Sequence, residues 1–234
     1  STLMRSSAAS DVYKRQTFYY MTERDIQDIE DLTIYETGKN LDFASIEETD
    51  KTIRDIAEKL NIAVGKGVCY TIDTSSQPHY VFQYEILVNG MPLAMFDGGS
   101  YSGDAYVPGT YMTAVVDADG IRHYDVSYVL EELESGESKK VLTLDEALQA
   151  VDDKYNSVIM EGEYFIDDIQ MAYTPVQTEE TGIVRLIPVW YFQTTHQILV
   201  PNRSGTGKVM LPQSGYILIN ALDGTELLHS NGDI

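Results

Sequence analysis

Two hydrophobic periods share this chain. In "TDKTIRDIAEKLNIAVG", Ile53, Ile56, Ala57 and Leu60 recur at the i, i+3, i+4, i+7 spacing of one helix face. Asp50 stands where an N-cap would, and Gly65 lies just beyond the end. A second helix is predicted in "LTLDEALQAVDDKYNSV", with Leu144, Ala147, Leu148 and Val151 on one face. There Thr143 and Glu146 form a capping-box pair, N-cap and N3, which satisfies the first free N–H groups. Elsewhere the period falls to two. "HYVFQYEILVNGMPLAMF" reads as strand, Asn89-Gly90 turn, strand, and "YMTAVVDADGIRHYDVSYV" as strand, Asp119-Gly120 turn, strand. "YFIDDIQMAYTPV", "GIVRLIPVWYFQTT" and "SGYILINALDGTELL" supply further strands, the last with an Asp223-Gly224 turn. Ile26, Ile29 and Leu32, three apart among acidic residues, fit a short amphipathic helix or a peripheral strand.

Helix, hairpin strands and an Asp-Gly hairpin thus occur twice in the same order. The helical stretches start 92 residues apart, at Thr52 and Leu144, and the turns 104 apart, at Asp119 and Asp223. That spacing is too uneven for a solenoid. It predicts an α+β fold of two tandem units, each a helix packed on an antiparallel sheet. The acidic, Gly-containing "LEELESGESKK" reads as the link, so the units are expected at 17–138 and 139–234.

Composition narrows the function classes. The chain has 16 Lys and Arg against 37 Asp and Glu, a net charge of −21. Such a surface excludes polyanions, hence nucleic acid, as partners. The single cysteine, Cys69, sits in the apolar run "GVCYTI" and reads as a buried, inert thiol. No run of about 18 apolar residues is present to span a bilayer.

The first sixteen residues stand apart. "SSAASDVYKRQ", Ser6 to Gln16, lacks the apolar run of a signal peptide and the Lys/Arg cluster of a basic arm. In one frame it resembles a translated transposase-type sequencing adaptor with its primer tail. Residues 1–16 are therefore expected to be a non-native tail outside the fold, with any signal or lipobox lost upstream of residue 17. Without them the chain has 13 basic and 36 acidic residues, a charge of −23.

Catalytic and metal motifs fail on inspection. "SGTGKV" lacks the first glycine of a phosphate loop, where Asn202 stands, and Val209 follows the lysine. It reads as a flexible hairpin loop. His79, His123, His196 and His229 show no zinc spacing. "DADG" at 117–120 begins like a calcium loop, but Tyr128 occupies the place of the bidentate carboxylate. No G-x-S-x-G elbow is present. No catalytic residue, metal site or cofactor is expected. Tyrosine is abundant at 17 residues, and Tyr101, Tyr106 and Tyr111 lie in or beside the Gly-rich loop 97–111. A rigid apolar ring with a polar tip suits a contact surface, so these three are the candidate partner-binding residues.

"LTLDEAL", "IQMAYTPV", "LIPVWYF" and "YILINALDGTEL" in this order resemble the PepSY-like modules of Gram-positive extracytoplasmic proteins. The same arrangement is similar to YycH/YycI-type regulators and many clostridial lipoproteins. The resemblance covers about 139–234 well, and the first unit only by echo. It implies a non-catalytic envelope lipoprotein or secreted module with a regulatory, protease-inhibiting or protein-interaction role. The implied partner is another envelope protein, engaged through a sheet edge or the 97–111 loop. Membrane contact would come only through an N-terminal lipid anchor. The alternatives are a hydrolase with a dispersed active site and a small-ligand-binding module.

Overall fold

The structure is a computed structural model that describes residues 7–8, 12–21, 36–73, 77–94, 100–102, 105–107, 110–134, 136, 139–156, 164–180, 182–201 and 208–227. The elements in chain order are β1 (Ser7–Ala8), β2 (Val12–Met21), β3 (Glu36–Thr37), α1 (Ile46–Lys59), β4 (Val64–Ile72), β5 (His79–Val88), β6 (Met91–Pro92) and β7 (Ser100–Ser102). They continue with β8 (Ala105–Val107), β9 (Tyr111–Asp117), β10 (Gly120–Glu134), β11 (Lys139–Lys140), α2 (Leu144–Tyr155), β12 (Tyr164–Gln177), β13 (Ile183–Pro201) and β14 (Lys208–Asn220). Two compact units result. One comprises Tyr13–Leu133 with Gln177–Val184; the other comprises Ser1–Val12, Glu134–Val176 and Arg185–Ile234.

In the first of these units the strands follow the order β2-β10-β9-β5-β4-β3, with β6 on β5. The central strand β5 shows why. Tyr80, Phe82, Tyr84 and Ile86, two apart, are all buried on one face. Their rings meet in sequence: Tyr80 and Phe82 are edge-on at 5.8 Å, Phe82 and Tyr84 stacked at 5.9 Å. Helix α1, in which Ile53 and Ala57 are fully buried, meets this face at Tyr84. Asp50 Oδ1 accepts from the Tyr84 hydroxyl at 2.8 Å, and Asp50 Oδ2 from Arg54 Nε at 2.9 Å. The Arg54 guanidinium lies 4.8 Å from the Tyr84 ring centroid, and its Nη1 donates to the Gly65 carbonyl at 3.1 Å. Burial, reinforced by Asp50, pushes the Tyr84 hydroxyl pKa up, so it stays a neutral donor.

Asp50 is therefore a tertiary contact and not the helix cap. The cap is Ser45: its Oγ accepts from Glu48 N–H at 3.2 Å, and Glu48 Oε2 accepts from Ser45 N–H at 3.2 Å. The helix ends before Asn61, which takes φ 56° in the left-handed region that asparagine tolerates.

Gly67 makes the approach of β4 to Tyr84 possible. A Cβ there would lie 2.5 Å from the Tyr84 ring. That ring is fully buried and held by Asp50 and Arg54, so it cannot swing aside. Gly67→Ala is expected to cost about 1–3 kcal/mol by overpacking. Urea denaturation checks this, and the companion Tyr84→Phe should lose only about 1 kcal/mol with its single hydrogen bond.

In the other unit β12 pairs β13, and β13 pairs β14 in an antiparallel ladder from Val189↔Asn220 to Pro201↔Lys208. Helix α2 begins as expected, with Thr143 N–H to Glu146 Oε2 at 2.7 Å and Glu146 N–H to Thr143 Oγ1 at 3.3 Å. Those bonds hold the Glu146 carboxyl below its ordinary pKa. Ala147, Phe192 and Ile219 form the buried seam between α2, β13 and β14. Trp190 Nε1 donates to the Leu142 carbonyl at 3.0 Å, which ties the segment before the helix to the sheet. Gly224, at φ 78°, makes the expected turn, closed by a single bridge between Ile219 and Glu226.

The expected α+β fold of two tandem helix-on-sheet units is corrected. The chain is mostly antiparallel sheet, with two helices among the described residues. Strand length explains the difference. Strands β10, β12, β13 and β14 span 15, 14, 19 and 13 residues. They run through stretches whose polar character reads as loop: "LEELE", expected in the link, is the end of β10. Nor are the units sequential, since Gln177–Val184 belongs with Tyr13–Leu133.

The exclusion of residues 1–16 from the fold is also corrected. Val12–Gln16 is the first half of β2, and Tyr13 is 3% exposed. Its hydroxyl accepts from Asn89 Nδ2 at 3.3 Å, Arg15 N–H donates to the Gly182 carbonyl at 2.8 Å, and the Arg15 guanidinium sits 5.5 Å from the Tyr128 ring centroid. The expected helix or strand around Ile26–Leu32 and the "SGTG" loop lie outside the described residues.

Candidate binding surface

The three candidate tyrosines do not share one element. Tyr101 and Tyr106 stand opposite each other in the β7–β8 hairpin, a separate two-stranded sheet. Tyr111 is half-buried in β9, opposite Glu85 of β5. The loop residues 97–99, 103–104 and 108–109 lie outside the described residues.

Reactive side chains are embedded in structural roles. Burial, with the charge of Asp50 behind it, pushes the Cys69 thiol up to about 12, so it carries no thiolate at neutral pH. His79 is fully buried, its Nδ1 2.8 Å from the Gln77 carbonyl. Burial lowers the pKa of His123, and His196 stacks on Tyr164 at 4.6 Å. His229 lies outside the described residues. The "DADG" segment is a hairpin turn: Asp117 Oδ1 accepts from Asp119 N–H at 2.8 Å, and Asp117 Oδ2 lies 3.6 Å from buried Arg122 Nε. Among the described residues no three His, Cys, Asp or Glu converge on a metal position, and no helix is long and apolar enough to cross a membrane.

A cleft of about 220 Å³ opens among Tyr13, Asn61, Asn89, Tyr128 and Glu132. It is smaller than the roughly 300–1,000 Å³ of small-molecule sites. Asn61 and Asn89 enter it from backbone turns with φ 56° and 51°. Both asparagines are accounted for by those turns.

Strand β12 is different. It ends its sheet, with β13 as its ladder neighbour and no described strand beyond it. Tyr164, Phe165 and Ile166 are 44%, 50% and 43% exposed, and Asp167 and Asp168 follow, also exposed. Successive strand residues point to opposite faces, so both faces are partly open over this stretch, the Tyr164 ring being stacked on His196 on one of them. Thr195 Oγ1 donates to Asp167 Oδ2 at 2.6 Å, and Ile169 N–H donates to Asp168 Oδ1 at 2.9 Å. Toward its other end the strand is buried from Ala172 to Pro175, and Pro175 has no N–H to offer. The accessible edge is thus the short run Tyr164–Asp168. Its sequence signal was three apolar residues followed by two acidic ones inside a strand. A strand with one buried face would alternate there.

Neither a family model nor a curated protein matches the chain. A solved structure does: an uncharacterized protein from Eubacterium rectale ATCC 33656 superposes with a TM-score of 0.67 at 21% sequence identity. The match covers 82% of this chain and 58% of that one, so this chain spans little more than half the length of its neighbour. At that identity the likeness is one of fold alone.

Proposed function

We propose that the protein is a non-catalytic interaction module of the Gram-positive cell envelope, lipid-anchored or secreted, that acts by holding another envelope protein. The observation that carries this reading is the edge of β12, which no other strand covers among the described residues, with Tyr164, Phe165 and Ile166 exposed on it. Unpaired edge N–H and C=O groups accept an added strand, and natural sheets ordinarily blunt them. Three adjacent exposed apolar residues are the opposite of blunting. The location rests on the resemblance of 139–234 to PepSY-like extracytoplasmic modules.

A photo-crosslinking residue placed at position 165 of the full chain tests the reading on intact envelopes. One defined protein adduct, identified by mass spectrometry and lacking when the crosslinker sits at exposed Glu58 of α1, is the expected result. Equal adducts from both positions, or none from 165, would overturn it. Turnover in an esterase and peptidase screen would favour the hydrolase.

A further inference from the structure

We infer that the occupant of the β12 edge is an extended basic segment, which adds antiparallel to Tyr164–Asp168 with two cationic residues followed by apolar ones. This rests on the reading of β12 as an interaction edge and specifies its partner.

Charge complementarity selects this occupant. Asp167 and Asp168 are exposed at the end of the apolar run. Each accepts from a neutral donor, Thr195 Oγ1 and Ile169 N–H, and among the described residues neither is in an ion pair. Their charge is left for a partner to meet. The whole chain adds a net charge of −21, which speeds encounter with a cation and opposes any acidic partner. A second copy of this chain is such an acidic partner.

The order of residues follows from the ladder. An antiparallel partner runs past Asp168 first and Tyr164 last. Its leading residues therefore meet carboxylates, and its following residues meet Ile166, Phe165 and Tyr164. The Ile169 N–H, covered by Asp168, and Pro175 confine the pairing to about five residues, so a single short segment suffices.

The test uses the full chain and capped peptides. The probe is acetyl-Gly-Lys-Lys-Val-Tyr-Val-Gly-amide. It is compared with versions carrying Thr-Thr or Glu-Glu for Lys-Lys, and with a Lys-Lys version N-methylated at alternate residues. Affinity is read by calorimetry, and the site by amide hydrogen exchange over 164–168. The lysine peptide is expected to bind and to protect 164–168. Asp167→Lys with Asp168→Lys should weaken it by roughly tenfold or more, whereas Asp55→Lys with Glu58→Lys on α1 should weaken it far less. If the second pair weakens it equally, net charge alone is at work and the inference falls. Equal binding by the N-methylated peptide removes strand addition. Protection by the Thr-Thr or Glu-Glu peptide as strong as by Lys-Lys overturns the basic partner while leaving β12 an interaction edge. If no peptide protects 164–168, the edge reading falls with it. Concentration-dependent dimers that protect 164–168 without peptide would make a second copy the occupant.

Discussion

Deleting residues 1–16 is expected to lower the melting temperature by several degrees or more. Tyr13, 3% exposed, would be lost from the core face that β2 shares with β10. Burying an aromatic side chain of this size is worth about 2–4 kcal/mol. In a chain of this length each kcal/mol moves the midpoint by about 2–4 °C, so roughly 5–15 °C is at stake. The deletion also removes the Arg15 N–H···O=C bond to Gly182 and the guanidinium beside the Tyr128 ring. Calorimetric melting of 1–234 against 17–234 decides the matter. Tyr13→Ala alone should reproduce a large part of the drop. An unchanged midpoint would mean that the stretch contributes nothing to the fold, whatever its position along β2.

Phe192→Ala is expected to cost about 3–5 kcal/mol, the range for truncating a buried aromatic. Phe192 is fully buried between Ala147 of α2 and Ile219 of β14, with Ile169, Trp190 and Ile217 around it. Alanine would leave a cavity bounded by a helix and two strands, which move inward only by giving up their other contacts. Denaturant titration gives the magnitude. Hydrogen exchange should show loss of protection in 144–155 before the β4–β5 ladder is affected, because the seam belongs to one unit only. A loss below about 1 kcal/mol would show that the seam closes on itself.

Local chemistry was legible where it is local. Thr143 and Glu146 announce α2, and the Asn89-Gly90, Asp119-Gly120 and Asp223-Gly224 pairs mark turns that take positive φ at Asn89, Gly90, Gly120 and Gly224. Ser45-Ile46-Glu47-Glu48 carries the same capping signature for α1, but Asp50 looks equally suitable on composition. Only the Tyr84 hydroxyl, 34 residues away, decides Asp50's role. The fold class is hidden from the sequence for a related reason. A helix reveals itself within two turns, whereas a long strand is defined by neighbours remote in sequence. "LEELE" has no strand signal of its own and extends β10 all the same. The site followed the same rule: Tyr101, Tyr106 and Tyr111 stand out by residue type, while the openness of Tyr164–Asp168 depends on β12 having no further strand beyond it among the described residues. A sequence does not state which strand is last.

The pairing of β2 with β10 also sets a clock. Met21 and Gly120 are separated by about a hundred residues, so at synthesis rates of about 5–20 residues per second the first long strand waits roughly 5–20 s for its neighbour to be made. Over that interval its ladder groups and Tyr13 remain uncommitted while the local β4–β5 hairpin is free to close. Newborn chains stalled before residue 120 should therefore be captured by holdase chaperones through the β2 segment, and release should begin only with emergence of β10, since the other edge of β2, where Arg15 N–H meets the Gly182 carbonyl, is satisfied later still.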